Sequence, residues 1–265
     1  MNIESLRQTP PWEWPKDAAA TLLLSLRDPR RAPDEREVAA SLAGDLVVMN
    51  DEIAVTLASL ASDRAEPENV RAAAAISLGP VLEQTEMEGF EDDGISEPPI
   101  TERTLKFIQK TLRGIYSDTA EPLLVRRRAF EASVRFPDDW HADAIRAAYS
   151  GSEHDWKLTA VFAMQYVPGF DQQILESLAS NDPELQFEAV RAAGAQGLAA
   201  AWPRIESLLT SPETDRDLRL AAIEAAVTVA PEKAAPILVD LCDSEDEEIA
   251  EAAADAMSDA EGDEP

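Results

Sequence analysis

The sequence predicts an all-α protein in which about seven pairs of helices stack as a solenoid. Six segments with apolar residues at helical spacing indicate this architecture, and their first buried positions lie 55, 31, 29, 33 and 31 residues apart. These first positions are Val70, Val125, Trp156, Leu185, Leu218 and Ile249. Four residues later comes an alanine in every segment: Ala74, Ala129, Ala160, Ala189, Ala222 and Ala253. A small residue at a fixed place indicates that a neighbouring helix approaches closely there, as in stacked repeats.

The clearest copy is DPELQFEAVRAA, residues 182–193. Asp182 is a good N-cap residue, and Pro183 suits the first helical position. Leu185, Ala189 and Val190 then fall on one face of the helix. Each copy follows a second amphipathic segment, and a helix pair of about 30 residues cannot bury its apolar face alone. Stacking of successive pairs is therefore the predicted source of the core.

The N-terminal segment, residues 1–16, is predicted to be an extended cap on the first helices. Its TPPWEWPK stretch has three prolines, which favour extended backbone, and two tryptophans. We expect Trp12 and Trp14 to fold back over the first helices. The alternative is a proline-aromatic segment that docks on a partner protein.

A single solenoid is predicted over residues 17–257, followed by an acidic, disordered tail at 258–265. Its first helices are expected at 17–26, 36–46, 51–61, 68–78 and 101–116. The longest interval between copies contains a segment, 83–100, with seven acidic residues and no base. We expect this segment to be a long, mobile acidic loop.

The composition limits the classes of partner. Asp and Glu number 52 against 23 Lys and Arg, which gives a formal net charge of -29. Such a charge repels nucleic acid and anionic lipid, so neither is an expected partner. Two causes of the charge stay open: adaptation to a salty cytoplasm, or an ordinary acidic scaffold. With no leader or membrane-spanning pattern, we expect a cytoplasmic monomer. The one cysteine, Cys242, is expected at a buried helix position.

Several segments resemble the HEAT-like repeats first described in phycobilisome lyases. They are ENVRAAAAISLG, DPELQFEAVRAAGAQG and DRDLRLAAIEAA, which show the pattern of Val-Arg followed by a run of alanines. The resemblance covers roughly residues 35–257. The arginine of the pattern is present at Arg71, Arg126 and Arg219 but is replaced by lysine, glutamine or alanine in the other copies.

This resemblance implies a right-handed, HEAT-like or armadillo-like superhelix. It marks a fold and not an activity, since such repeats occur in scaffolds, adaptors and chaperone-like lyase subunits. The main hypothesis is a non-catalytic scaffold or adaptor that binds another protein or a peptide along a concave face. The alternative is a lyase-like or chaperone-like subunit that acts on a cofactor-bearing protein. A DNA glycosylase with such repeats is disfavoured by the net charge.

Two surfaces are candidate binding sites. One is a concave groove, where the repeat phase places residues from three copies: Leu158, Phe162, Phe187, Arg191 and Leu220. The other is a basic patch on the helix predicted at 101–116 and at the start of the next helix: Arg103, Lys106, Lys110, Arg113, Arg126, Arg127 and Arg128. The groove residues could instead pack between layers as core. The patch could be neutralised by the acidic loop or neighbouring carboxylates, or could dock an acidic segment or a phosphate-bearing ligand.

No catalytic or cofactor motif is found in the sequence. The two histidines, His141 and His154, lie in acidic surroundings without metal-ligand spacing. Gly-rich phosphate loops and nucleophile-elbow patterns are also missing from the sequence. We therefore expect no enzyme activity, no cofactor and no metal.

Overall fold

Many of the helices begin at a proline, or after an asparagine, threonine or aspartate whose side chain caps the first turn, as the capping rules predict. The computed structural model describes residues 2–90 and 98–262. These residues contain no strand, sixteen α-helices and two short 3-10 helices, at Pro11–Glu13 and Ala199–Ala201. The all-α prediction is therefore confirmed. Contacts divide the chain into two compact units, one ending at Asp138 and the other beginning at Asp139.

The first unit holds eight helices among its described residues. They are α1 (Ile3–Arg7), α2 (Ala18–Arg27), α3 (Pro33–Ala43), α4 (Asp51–Ser62), α5 (Glu68–Ile76), α6 (Gly79–Glu88), α7 (Glu102–Ser117) and α8 (Leu123–Ser133). The motif helices α3, α5 and α8 pack on one another in series, and the preceding helices α2, α4 and α7 form a second layer. The fully buried Leu57, Ile108 and Leu112 lie in the core between the layers.

The second unit repeats this arrangement with eight further helices. They are α9 (Asp139–Ser150), α10 (His154–Ala163), α11 (Asp171–Leu178), α12 (Pro183–Ala195), α13 (Trp202–Thr210), α14 (Arg216–Val229), α15 (Pro231–Leu241) and α16 (Glu247–Gly262). The motif helices are α10, α12, α14 and α16, and each packs on the next. Each also packs on the helix that precedes it in the chain.

The repeated alanines lie where the motif helices touch. All six are fully buried, as predicted from their fixed place in the copies. At Gly194 of α12 the approach is closer still, because a Cβ built on this residue would lie 2.9 Å from Ala225 Cα. Gly44, after α3, is equally confined, with Ser77 O 2.8 Å from the position of a Cβ. Close backbone packing therefore holds the layers together in both units.

The N-terminal segment is partly helical, so the prediction of an extended cap is wrong over α1. The Asn2 side chain caps this helix by accepting a hydrogen bond from Ser5 N at 2.8 Å. Trp14 folds back as predicted: its Nε1 donates to Leu6 O at 3.0 Å and to Thr9 O at 2.8 Å. Trp12 does not, since it is 79% exposed. Only the tryptophan whose ring nitrogen reaches backbone carbonyl oxygens is held in place.

The acidic loop predicted at 83–100 begins later than expected, because α6 covers residues 79–88. Val81 and Leu82 of this helix are fully buried, and its acidic side chains face outward or pair, as Glu83 does with Arg135 at 2.6 Å. Acidic composition therefore did not prevent a helix with two core residues. Residues 91–97 lie outside the described part of the chain.

The C-terminal helix α16 runs to Gly262, beyond the predicted end of the solenoid at 257, so the tail is helical as far as 262. Cys242 was expected to be buried but is half-buried at the C-cap of α15. In the part of the chain that the structure describes, no helix is both long and apolar enough to cross a membrane.

Candidate functional site

The fourth residue of each first-unit motif helix, α3, α5 and α8, is an arginine that binds the end of the helix before it. Arg36 Nη2 donates to Leu26 O at 2.9 Å, Arg71 Nε to Ala61 O at 3.0 Å, and Arg126 Nε to Tyr116 O at 3.0 Å. Each carbonyl lies ten residues earlier, in the last turn of α2, α4 or α7. The last carbonyls of a helix have no partner within it and carry partial negative charge, so a guanidinium is a favourable cap. This arginine therefore has a structural role.

Two of these arginines, Arg36 and Arg71, also bind a carboxylate of the next repeat. Arg36 Nη2 lies 2.8 Å from Glu66 Oε1, and Arg71 binds Glu121 with both side chains almost fully buried. Arg64 joins from the surface, with its Nε 2.7 Å from Glu121 Oε1. Burial raises the pKa of the Glu121 carboxyl, but the hydrogen bonds from Arg71 and Arg64 outweigh this and hold the pKa below its ordinary value. The ionised Glu121 therefore links two successive repeats through its ion pairs with Arg64 and Arg71.

These contacts divide the predicted basic patch. Arg126 is one of the capping arginines, and its guanidinium also lies 6.0 Å from the centre of the Tyr116 ring. Arg127 and Arg128 both approach the buried Glu131, at 3.8 Å and 2.7 Å. Each of these three arginines therefore contacts another group of the protein, and the Arg128 side chain is still 45% exposed.

The other four members of the patch form an exposed stripe along α7: Arg103, Lys106, Lys110 and Arg113. It lies opposite the buried face that contains Leu105, Ile108 and Leu112. Lys106 pairs with Glu102, one turn earlier, and Arg113 lies 4.0 Å from Asp138. Both pairs are solvent-exposed and hold the cations loosely.

The predicted groove residues lie on the second unit's motif helices α10, α12 and α14. All five are half-buried: Leu158, Phe162, Phe187, Arg191 and Leu220. The Phe162 ring centre lies 5.6 Å from that of Tyr166, and the Arg191 guanidinium lies 6.0 Å from the centre of the Phe187 ring. Half-burial fits both alternatives from the sequence, because each side chain covers a neighbour and still presents a surface.

A depression of about 280 Å³ lies beside these residues, between α12 and α14. Its lining consists of Gln165, Arg191, Gly194, Ala195, Ala221, Glu224, Ala225 and Thr228. Of the five groove residues predicted from the sequence, Arg191 alone belongs to this lining. Small residues near the ends of the motif helices, such as Gly194, Ala195 and Ala225, were the sequence signal that could have predicted the rest of the lining.

Among the described residues, one group has the donor atoms to hold a metal ion: His154, Asp182 and Glu184, whose possible ligand atoms lie within 4.8 Å of one another. His154 Nε2 lies 2.6 Å from Asp182 Oδ2. Asp182 Oδ1 is the N-cap of α12 and accepts from the backbone N of Glu184 at 3.0 Å. The group therefore already has a function in the fold, as a helix cap bonded to the preceding repeat.

Hydrogen bonding shifts both ionisable groups of this pair. The hydrogen bond to Asp182 raises the pKa of the His154 imidazole, and the nearby carboxylates raise it further. The same bond lowers the pKa of Asp182. The other histidine, His141, is buried, and its ring is stacked on Trp140 at 3.8 Å.

Comparison with known proteins places this architecture. Residues 172–258 match the family model described as HEAT repeats. A search of curated proteins found no match. Among solved structures, the complex of CpcE and CpcF of phycocyanin lyase from Nostoc has a TM-score of 0.53 at 18% identity, covering 93% of this chain and 83% of that chain.

Two other solved structures are similar at lower scores. Human deoxyhypusine hydroxylase in complex with glycerol has a TM-score of 0.44 at 16% identity, covering 98% of this chain and 89% of that chain. The YibA protein of Escherichia coli has a TM-score of 0.47 at 17% identity, covering 97% and 86%. At these identities the likeness concerns the fold alone. The chain therefore has the fold of a helical solenoid, and its residues 172–258 carry the sequence pattern of HEAT repeats.

Proposed function

We propose that this protein is a non-catalytic scaffold that binds a partner protein or peptide on the exposed surface of α10, α12 and α14. The observation that carries the proposal is the depression between α12 and α14, whose lining residue Arg191 lies against the half-buried ring of Phe187. We further propose a monomer of the cytoplasm whose partner is neither nucleic acid nor membrane, since a net charge of -29 repels both.

The shape of the depression suits a side chain of a docked segment. Half of its lining consists of the small residues Gly194, Ala195, Ala221 and Ala225, where α12 and α14 pack closely. A volume of about 280 Å³ is below the usual range for a drug-sized ligand and accommodates one or two side chains. A partner helix or extended peptide could therefore insert one anchor residue there.

Charge and apolar surface around the depression would set specificity. Arg191 and Glu224 are opposite charges at its lining, so a partner with the complementary pair would bind in one register. Phe162 and Phe187 are half-buried, and covering their remaining surface contributes about 25 cal/mol per Å² of apolar area. Aromatic and arginine side chains are the residue types that contribute most at interfaces.

The lining also favours binding over catalysis. It contains no His, Cys or Ser in the described part of the chain, and its one hydroxyl, Thr228 Oγ1, donates to Gly194 O at 2.9 Å. A nucleophile next to a general base is therefore not found in the depression. The alternative function is a lyase-like or chaperone-like subunit, comparable in fold to the CpcE and CpcF complex of phycocyanin lyase. Co-purification of a coloured ligand with the partner would favour that alternative.

The test exchanges the two charges of the depression. The double variant Arg191→Glu with Glu224→Lys should capture the partner from the native host poorly, and titration with that purified partner should show affinity weaker by about tenfold or more. The matched control is Arg146→Glu with Glu232→Lys, which makes the same charge changes at exposed positions of α9 and α15. Equal affinity of both variants, at unchanged circular dichroism and melting, would contradict the proposal.

A further inference from the structure

We infer that the solvent-facing side of α7 is a docking surface for a short acidic segment of a partner protein. This surface, the α7 stripe, consists of Arg103, Lys106, Phe107, Lys110 and Gly114, with Arg113 at its edge. Steps of three and four residues place these positions on one side of the helix, and the opposite side carries the buried Leu105, Ile108 and Leu112. The inference does not rest on the depression in the second unit, because α7 belongs to the first unit.

The cations of the α7 stripe are available to a ligand. Arg103 and Lys110 are exposed and have no hydrogen bond or ion pair with any described residue, and Lys106 has only the exposed pair with Glu102. Like charges three and four residues apart on a helix repel one another, so this arrangement does not serve the stability of α7. In a chain with a net charge of -29, several such cations on one face call for an external negative partner.

Gly114 supplies an independent observation on the same face. A Cβ built on it would meet no atom within 4 Å, and its backbone is helical with no positive φ. Glycine inside a helix is less favourable than alanine, and here neither packing nor backbone geometry in the described structure requires it. At Gly194, by contrast, the neighbouring helix excludes a Cβ. The absence of a side chain at Gly114 is explained if the backbone of a bound partner approaches α7 closely there.

The partner chemistry follows from the size and composition of the stripe. Arg103 and Lys110 are two helical turns apart, about 10 Å along the axis, which matches a short segment and not a long polyanion. A nucleic acid or a lipid surface would extend beyond the stripe and meet the acidic remainder of the protein. Phe107 is 41% exposed between the cations, so the acidic segment should also carry an apolar residue.

The test uses the full chain and a short fluorescein-labelled peptide of glutamate and alanine with one central leucine. Fluorescence anisotropy at low salt should show binding to the wild type. The triple variant Arg103→Gln, Lys106→Gln, Lys110→Gln should weaken it by about tenfold or more. The matched control is Lys16→Gln, Arg30→Gln, Lys233→Gln, which removes the same charge at other exposed sites and should leave the affinity within about twofold.

Equal weakening in both triple variants would overturn the inference, because binding would then follow net charge and not the stripe. It would also be overturned if duplex DNA, phosphatidylserine vesicles or a second copy of the chain bound the wild type through these residues more tightly than the peptide does. Gly114→Ala provides a second test that does not depend on charge: the free protein should melt at a higher temperature and bind the peptide less tightly. Unchanged peptide affinity in this variant would exclude the close approach.

Discussion

The two units share one way of stacking but differ in the polar contacts that join their repeats. In the first unit, Arg36 and Arg71 reach Glu66 and Glu121 of the following repeat, and these arginines are buried. In the second unit, the first residue of one motif helix contacts the N-cap aspartate of the next: His154 with Asp182 at 2.6 Å, and Arg216 with Asp246 at 2.8 Å. In these second-unit contacts the His154 and Arg216 side chains are exposed to solvent.

This difference shows which part of the repeat is required and which part is replaceable. The buried alanines and the confined glycines occur in both units. The close approach of neighbouring helix backbones is therefore the feature that all repeats share. The ion pairs do not share one position or one chemistry. We therefore expect stability in the first unit to depend on a few buried charges, whereas the second unit depends on packing and helix caps.

The largest expected effect on stability comes from breaking the buried ion pair between Arg71 and Glu121 in the first unit. Arg71→Ala removes the cap on Ala61 O and leaves the Glu121 carboxylate buried beside Arg64 alone. Loss of one partner of a buried pair typically destabilises a protein by about 3–5 kcal/mol. Urea unfolding followed by far-UV circular dichroism, with hydrogen exchange of α5 as a local readout, measures it. The second-unit counterpart, Arg216→Ala, should lose far less, because its ion pairs with Asp246 and Glu248 are exposed to solvent. Similar losses in the two variants would remove the distinction between the units.

A second prediction concerns the stacking that both units share. Gly44→Ala and Gly194→Ala each place a methyl group within 3 Å of a neighbouring helix, and such overpacking costs about 1–3 kcal/mol. Thermal unfolding should therefore show a lower melting temperature for both variants. Gly114→Ala, where a Cβ meets open space, is the control and should stabilise the protein by about 0.5–1 kcal/mol. A loss at only one of the two confined glycines would mean that the units stack by different rules.

The third prediction tests the helix caps of the second unit. Asp215 Oδ1 accepts from Asp217 N at 3.0 Å at the start of α14, whereas α5 and α8 of the first unit begin after prolines with no side-chain cap. Asp215→Ala should lower the free energy of unfolding by about 1 kcal/mol. Asp217→Ala makes the same charge change two residues away without loss of the cap, so a denaturation experiment should give it a clearly smaller effect.

The smallest expected effect is the pH dependence of the stability that the His154–Asp182 contact contributes. Because the folded pKa of His154 lies above its ordinary value of 6.5, its stabilisation is fully present below that pH and is lost as the pH rises through the folded pKa. For Asp182, whose pKa is lowered, the stabilisation is present above its ordinary value of 3.8 and is lost as the pH falls through the folded pKa. The pair should therefore stabilise the fold most between these two values.

This sign can be measured with a pair of variants. His154→Gln should be less stable than the wild type near about pH 5.5, and the difference should shrink toward alkaline pH. Arg216→Gln is the control, because its guanidinium stays charged over that range and its effect should be constant. A His154→Gln difference that grows with pH would show that the imidazole acts as a neutral hydrogen-bonding group.

Side chains in similar sequence surroundings make different contacts in the structure. Trp12 and Trp14 stand in one proline-rich stretch, yet only Trp14 finds carbonyl partners. Arg126 stands in a run of three arginines, and its role as a helix cap is visible from the sequence only by aligning it with Arg71. The depression was missed in most of its lining because Gln165 and Thr228 belong to different copies, and only the packing of α12 and α14 brings their surroundings together.

By itself, the sequence determined the repeat. Helical periodicity, capping residues and an alanine at a fixed place are local signals, so they predicted the all-α class, the period and the six buried alanines. Only the tertiary structure decided which polar groups meet, because their partners lie far apart in the chain, as Arg64 and Glu121 do at a separation of 57 residues. The tertiary structure also decided which cations of the basic patch contact other groups of the protein, as Arg126, Arg127 and Arg128 do. Arg103 and Lys110 of α7 have no such contact with a described residue, and this difference depends on neighbours that no local pattern specifies.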